Sequence, residues 1–126
     1  MPGMPNEELW PVALDALEAA PGYHTLLMEN ESVRVLDTHV PAGETVPLHT
    51  HCWPAVQYIL RWSDFVRRDG EGAVLLDSRL GSRLAEGTAV WSGPLALHTL
   101  ENVGGSEMRV LSIELKSSFH GNAVRL

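Results

Sequence analysis

Gly43-Glu-Thr-Val-Pro-Leu-His49-Thr-His51-Cys-Trp-Pro54 places two histidines one residue apart in a segment of β-type composition. On an extended strand, residues i and i+2 point to the same side, about 7 Å apart at the backbone. His49 and His51 therefore project together. Neutral imidazoles so placed can converge on one ion, such as zinc, iron, nickel or copper. A lone His-x-His pair is as readily a packed or polar strand face, so its surroundings must be read as well.

Outward from that pair, short segments alternate with turn residues. Residues 23–28 and 32–40 read as strands joined by the polar turn Glu29-Asn30-Glu31, and Pro41-Ala42-Gly43-Glu44 is a further turn. Residues 45–51, 56–62, 65–68, 73–78, 82–84, 88–91, 98–102 and 108–115 continue the pattern, with Asp69-Gly70-Glu71-Gly72 as a hairpin connection. Nine or ten strands without intervening helices predict an all-β antiparallel sandwich or barrel rather than a βαβ fold. The exception is the start of the chain. Asn6 can cap a helix over residues 6–20, with Glu7 and Glu8 in its first turn and Pro21-Gly22 as its stop. Pro11 fits only if it lies in the first turn. The expected organisation is a helical extension over residues 1–22 and a β barrel over residues 23–126.

The chain has 126 residues, enough for one domain with a core of its own. Nine basic residues against 16 acidic ones give a formal charge of −7, which argues against nucleic acid and against anionic membranes as partners. No apolar run approaches the roughly 20 residues that span a bilayer. The first ten residues are acidic and broken by Pro2 and Pro5, without a signal-peptide pattern, so a cytoplasmic location is expected. The single cysteine, Cys52, excludes an intrachain disulfide and a multi-cysteine metal cage.

A second pattern follows the first: Gly87-x5-Gly93-Pro94-x3-His98-x3-Asn102. Together with Gly43-x5-His49-x-His51 and the apolar strand at Tyr58-Ile59-Leu60, it resembles the two motifs of the cupin superfamily, most closely the small single-domain, RmlC-like members. The resemblance covers residues 32–116. It implies an antiparallel double-stranded β-helix, the cupin jelly-roll barrel, here with a short N-terminal helix. It also implies a divalent transition metal (iron first, with nickel, zinc, manganese or copper as alternatives) held by His49, His51 and His98. A homodimer acting on a small-molecule substrate or ligand is the implied assembly.

The sequence departs from that family at two points. The carboxylate of the first motif falls at Ala55 or Val56, neither of which can bind a metal, and Gly93-Pro94-Leu95 replaces Pro-x-Gly in the second. Gln57 shares a strand side with Ala55, and Glu114 is a second substitute acid if the last strand turns it inward. Gln57, Trp53, Trp91 and Glu114 are therefore the expected pocket-lining residues, the tryptophans as walls for a planar or apolar ligand. Cys52 alternates away from His51 and reads as structural. His24, His39 and His120 have no ligand spacing and read as surface or partly buried residues. Asn102 reads as the brace of a turn, and Asp64, Arg67, Arg68 and Asp69 as a solvated hairpin. Two functions follow. One is a three-histidine, metal-dependent enzyme, dioxygenase-like or isomerase-like; the other is a non-catalytic small-ligand binder with a weak or absent metal site.

Overall fold

The computed structural model describes residues 8–116. Nine strands run in chain order: β1 (His24–Glu29), β2 (Val33–Val40), β3 (Thr45–His51), β4 (Ala55–Arg61), β5 (Phe65–Asp69), β6 (Val74–Asp77), β7 (Ala89–Ser92), β8 (Leu95–Asn102) and β9 (Met108–Leu115). They form two antiparallel sheets, one in the order β1-β2-β9-β4-β7 and the other β3-β8-β5-β6. Alternation decides which side chains enter the barrel. Thus Arg34, Leu36 and Val40 of β2 are buried, and their cross-strand partners on β9 are Glu114, Ser112 and Met108. Ala20, Val40, Val46 and Met108 form an apolar cluster to which Tyr23, Phe65, Leu100 and Val110 add.

Two expected elements differ. Of the helix predicted over residues 6–20, the described part contains only a 3-10 turn, Val12–Leu14, and one α turn, α1 (Ala16–Ala19). Asp15 interrupts it with an extended backbone (φ −58°, ψ 148°), bridges to Thr50 of β3, and accepts the Leu17 N–H on its carboxylate. The helical spacing is outweighed because Asp15 is pulled inward by a buried arginine, described below. Residues 82–84 form no strand; they lead from the 3-10 turn Ser78–Leu80 towards β7.

Asn102 braces the end of β8 as expected. It is fully buried, donates to the carbonyls of Val40 and Ser106 at 2.9 Å each, and accepts from Ser63 Oγ at 2.7 Å and Gly104 N at 3.0 Å. Gly104 is required there, because a Cβ would collide with Ser63 Oγ. This brace fixes the strand that carries His98.

Candidate metal centre and cavity

His49 and His98 are direct cross-strand partners on β3 and β8. The register shifts on both sides of that pair, between Val46 and His49 and again between His49 and His51. The first shift changes the alternation, so Val46, His49 and His51 all face the cavity despite their mixed parity. The second does the same for Leu95 and His98, so the altered Gly93-Pro94-Leu95 turn leaves His98 within reach. Ring centroids of His49 stand 5.0 Å from His51 and 4.3 Å from His98, and His51 and His98 are 5.9 Å apart.

The structure adds a fourth histidine. His24, the first residue of β1, has its ring 5.0 Å from His49 and 5.3 Å from His51, and ligand atoms of these three lie within 4.8 Å of one another. The expectation that His24 is a surface or partly buried residue is thereby corrected, since it is buried among these rings. No spacing betrays it, since 25 residues separate it from His49. The only sequence signal is its place at the head of an edge strand, opposite Thr38 of β2.

Each of the four rings is held through Nδ1. His24 Nδ1 meets the Ala20 carbonyl at 3.0 Å, His49 Nδ1 the Pro47 carbonyl at 2.7 Å, and His98 Nδ1 the Ala96 carbonyl at 2.7 Å. His51 Nδ1 meets Glu114 Oε2 at 2.9 Å. A carbonyl or carboxylate oxygen accepts, so Nδ1 carries a proton in each ring, which leaves Nε2 as the nitrogen free to bind when the ring is neutral. Metal-binding histidines are oriented in this manner, and the donor set fits a divalent transition metal. Burial, followed by the neighbouring His51, pushes His24 down to about 4. Burial, His51 and His98 push His49 down to about 2. Burial also carries His98 down to about 4, against the Ala96 hydrogen bond. These three rings are therefore neutral, and so able to bind a metal, at pH 7.

The same shifts make the metal-free protein acid-sensitive. Folded values below the ordinary 6.5 mean that the unfolded chain takes up more protons as pH falls. The stabilisation is complete above about pH 6.5 and declines as pH falls towards 4 for His24 and His98 and towards 2 for His49, by roughly 1–2 kcal/mol per histidine at pH 5. Thermal melts of metal-free protein should show a clear drop in Tm between pH 7.5 and 5. A flat Tm over that range would contradict the buried neutral cluster.

Behind His51 lies a buried ionic chain. Glu114 is completely buried, and its second oxygen accepts from Arg34 Nε at 2.6 Å. The other end of Arg34 makes two hydrogen bonds to Asp15, at 2.8 and 2.9 Å. Burial opposes ionisation of Asp15, but the hydrogen bonds and charge of Arg34 outweigh it and hold the carboxyl below its usual value. Ala55, where the family's carboxylate would fall, is the direct cross-strand partner of Glu114. The missing acid is thus present one strand away. It holds Nδ1 of His51 instead of projecting among the rings.

A cavity of about 690 Å³ opens beside the histidines, a size suited to a small organic molecule. Gln57 lines it and accepts a hydrogen bond from Ser112 Oγ; Trp91 lines it at the rim, 63% exposed. Trp53 and Glu114 are outside the lining. Trp53 is buried beneath Arg34 and Lys116, whose cationic groups stand 4.9 and 5.4 Å from its ring centre, and Glu114 sits behind His51. Pro54 ends the pairing after β3, which lets Trp53 turn away from the cavity. Burial drives the Cys52 thiol to about 12, so it carries no reactive thiolate at neutral pH, in keeping with a structural role. His39 is half exposed against Glu107, while His120 lies outside the described residues. Arg67, expected on a solvated hairpin, lines the cavity instead.

No protein-family model matches the chain, and no curated protein matches it. Solved structures do resemble it. A cupin domain from Bordetella pertussis is 22% identical with a TM-score of 0.62, over 75% of this chain and 92% of that one. An RmlC-like cupin family protein with a double-stranded β-helix fold from Methanocaldococcus jannaschii is 14% identical with a TM-score of 0.52, over 82% and 84%. A DMSP lyase from Ruegeria pomeroyi is 15% identical with a TM-score of 0.50, over 78% of this chain and 49% of that one. Among the described residues no helix is long and apolar enough to cross a membrane. The two antiparallel sheets, with histidines from β3 and β8 meeting inside them, have the cupin double-stranded β-helix fold.

Proposed function

We propose that this chain is a metal-dependent enzyme acting on a small organic molecule. His24, His49, His51 and His98 would hold a divalent transition metal, with iron(II) the first candidate. The observation that carries this is the set of four rings tethered through Nδ1, three of them kept neutral by burial, beside an open cavity. When bound, such an ion supplies Lewis acidity or a redox centre for isomerisation or oxygenation. The protein's own residues do the rest. Carbonyls of Ala20, Pro47 and Ala96 and the Glu114 carboxylate fix the rings, and the apolar wall keeps bulk water from the substrate. Glu114, with Arg34 and Asp15, leaves one net negative charge behind His51, offsetting the loss of an anionic ligand at Ala55.

One observation favours the second reading, a ligand-binding protein without catalysis. Four imidazoles saturate a tetrahedral ion, whereas an ion of six positions keeps two open. Water-proton relaxation of the manganese(II)-loaded protein separates the two. Enhanced relaxation, signalling exchangeable water on the ion, is the expected result. No enhancement from a stoichiometrically bound ion would leave the binding role alone.

A further inference from the structure

Arg67 has no partner for its charge among the described residues. Arg34, Arg61, Arg68, Arg79 and Arg109 each face a carboxylate, and Arg83, which has none within ion-pair distance, is exposed to solvent. Arg67 has only the Phe65 ring, 5.8 Å from its guanidinium carbon. Its Nε is buried without a hydrogen bond, and among the buried side-chain nitrogen and oxygen atoms described it alone is so. A buried Nε–H without an acceptor on an unpaired, half-buried guanidinium is costly, and burial with no compensating carboxylate pulls its pKa down. In a chain of formal charge −7 such an uncompensated cation is conspicuous.

Its position gives it a use. Arg67 on β5 stands opposite Leu100 of β8, and His98 is two residues from Leu100 on the same face, about 7 Å along the strand. Both Arg67 and His98 line the cavity. Of the other charged lining residues, Arg61 is exposed to solvent and stands 3.9 Å from Glu86, and Asp77 binds Arg79. Leu100, Phe65, Trp62, Val46, Ile59 and Val110 supply apolar wall. We propose that the cavity takes an organic monoanion with an apolar body, its carboxylate received by Arg67. A planar guanidinium matches a carboxylate by two parallel hydrogen bonds, and one unneutralised cation calls for one negative charge. That the far end of this molecule is presented to the histidines rests on the function proposed above; the anion anchor does not.

The test uses metal-free full-length protein and calorimetric titration with hexanoate and phenylacetate, beside hexanamide and phenylacetamide. The acids bind roughly tenfold or more tightly than the amides, as a charge-assisted pair requires. Arg67→Met removes that preference, lowering acid affinity at least to the amide level while leaving the amides within about twofold. Arg67→Lys retains part of it. Without ligand, Arg67→Met melts no lower than the wild type, since it removes an unpaired buried charge. Equal affinity for acids and amides, binding of neither, or equal weakening of both by Arg67→Met would overturn the proposal, as would a lower melting temperature of ligand-free Arg67→Met. Metal stoichiometry, measured separately, is unchanged in Arg67→Met, so failure of the anion anchor and failure of the metal centre are distinguishable.

Discussion

Replacing Glu114 with Gln is expected to lower metal affinity by about 10–100-fold while leaving the fold intact. The carboxylate touches no cavity surface, so the loss acts through His51 alone. The single amide oxygen of Gln can accept from His51 Nδ1 or from Arg34 Nε but not from both, its NH2 facing the other donor, and the change removes the negative charge that raises the basicity of Nε2. The net charge of the buried chain then falls to zero, because Arg34 and Asp15 remain paired. Glu114→Ala is a different experiment. It leaves His51 Nδ1 and Arg34 Nε without partners in the interior, at a cost of about 2–4 kcal/mol. Metal titration followed by isothermal calorimetry, alongside denaturant melts, checks both. Equal metal affinity in wild type and Glu114→Gln would show that Glu114 does not tune the site.

Arg34→Met is expected to be the most destabilising single change, at about 3–5 kcal/mol near neutral pH. It strands Asp15 and Glu114 as two buried carboxylates without their cation. It also removes the cation over Trp53 and the tie between the N-terminal segment and β2. The sign of its pH dependence identifies the cause. Asp15, now held below its ordinary 3.8 by Arg34, would lose that support, and its buried carboxyl would favour the protonated form. The deficit relative to wild type therefore shrinks as pH falls from 7 towards 4. Urea melts at pH 7 and pH 4.5 measure it. A deficit that is constant with pH would mean that lost packing, rather than stranded charge, sets the cost.

The β architecture was legible because alternation and turn residues repeat over most of the chain, and because His49, His51 and His98 stand at recognisable spacings. What escaped did so for physical reasons. His24 joins the cluster through the pairing of β1 with β2, and contacts so distant along the chain leave no periodic trace. The N-terminal helix was overestimated because the apolar spacing around Asp15 is helical, whereas a buried ion pair with Arg34 holds Asp15 in an extended conformation. Arg67 lies in a charged run that suggests solvent, yet strand alternation turns it inward while its neighbour Arg68 bonds Glu101. Trp53 reads as an aromatic wall of the pocket, yet the end of β3 turns it away, beneath Arg34 and Lys116.

Four histidines, His24 included, are proposed to build one metal centre. Metal content by inductively coupled plasma mass spectrometry, on untagged protein loaded with iron(II) under anaerobic conditions, tests it most directly. Close to one equivalent is expected in the wild type, a large loss in His24→Ala, and none in His49→Ala/His98→Ala, with all three proteins folded by circular dichroism. Full retention of metal in His24→Ala would remove His24 from the centre. Absence of metal from the wild type after loading with iron, nickel and zinc would contradict the metal centre altogether.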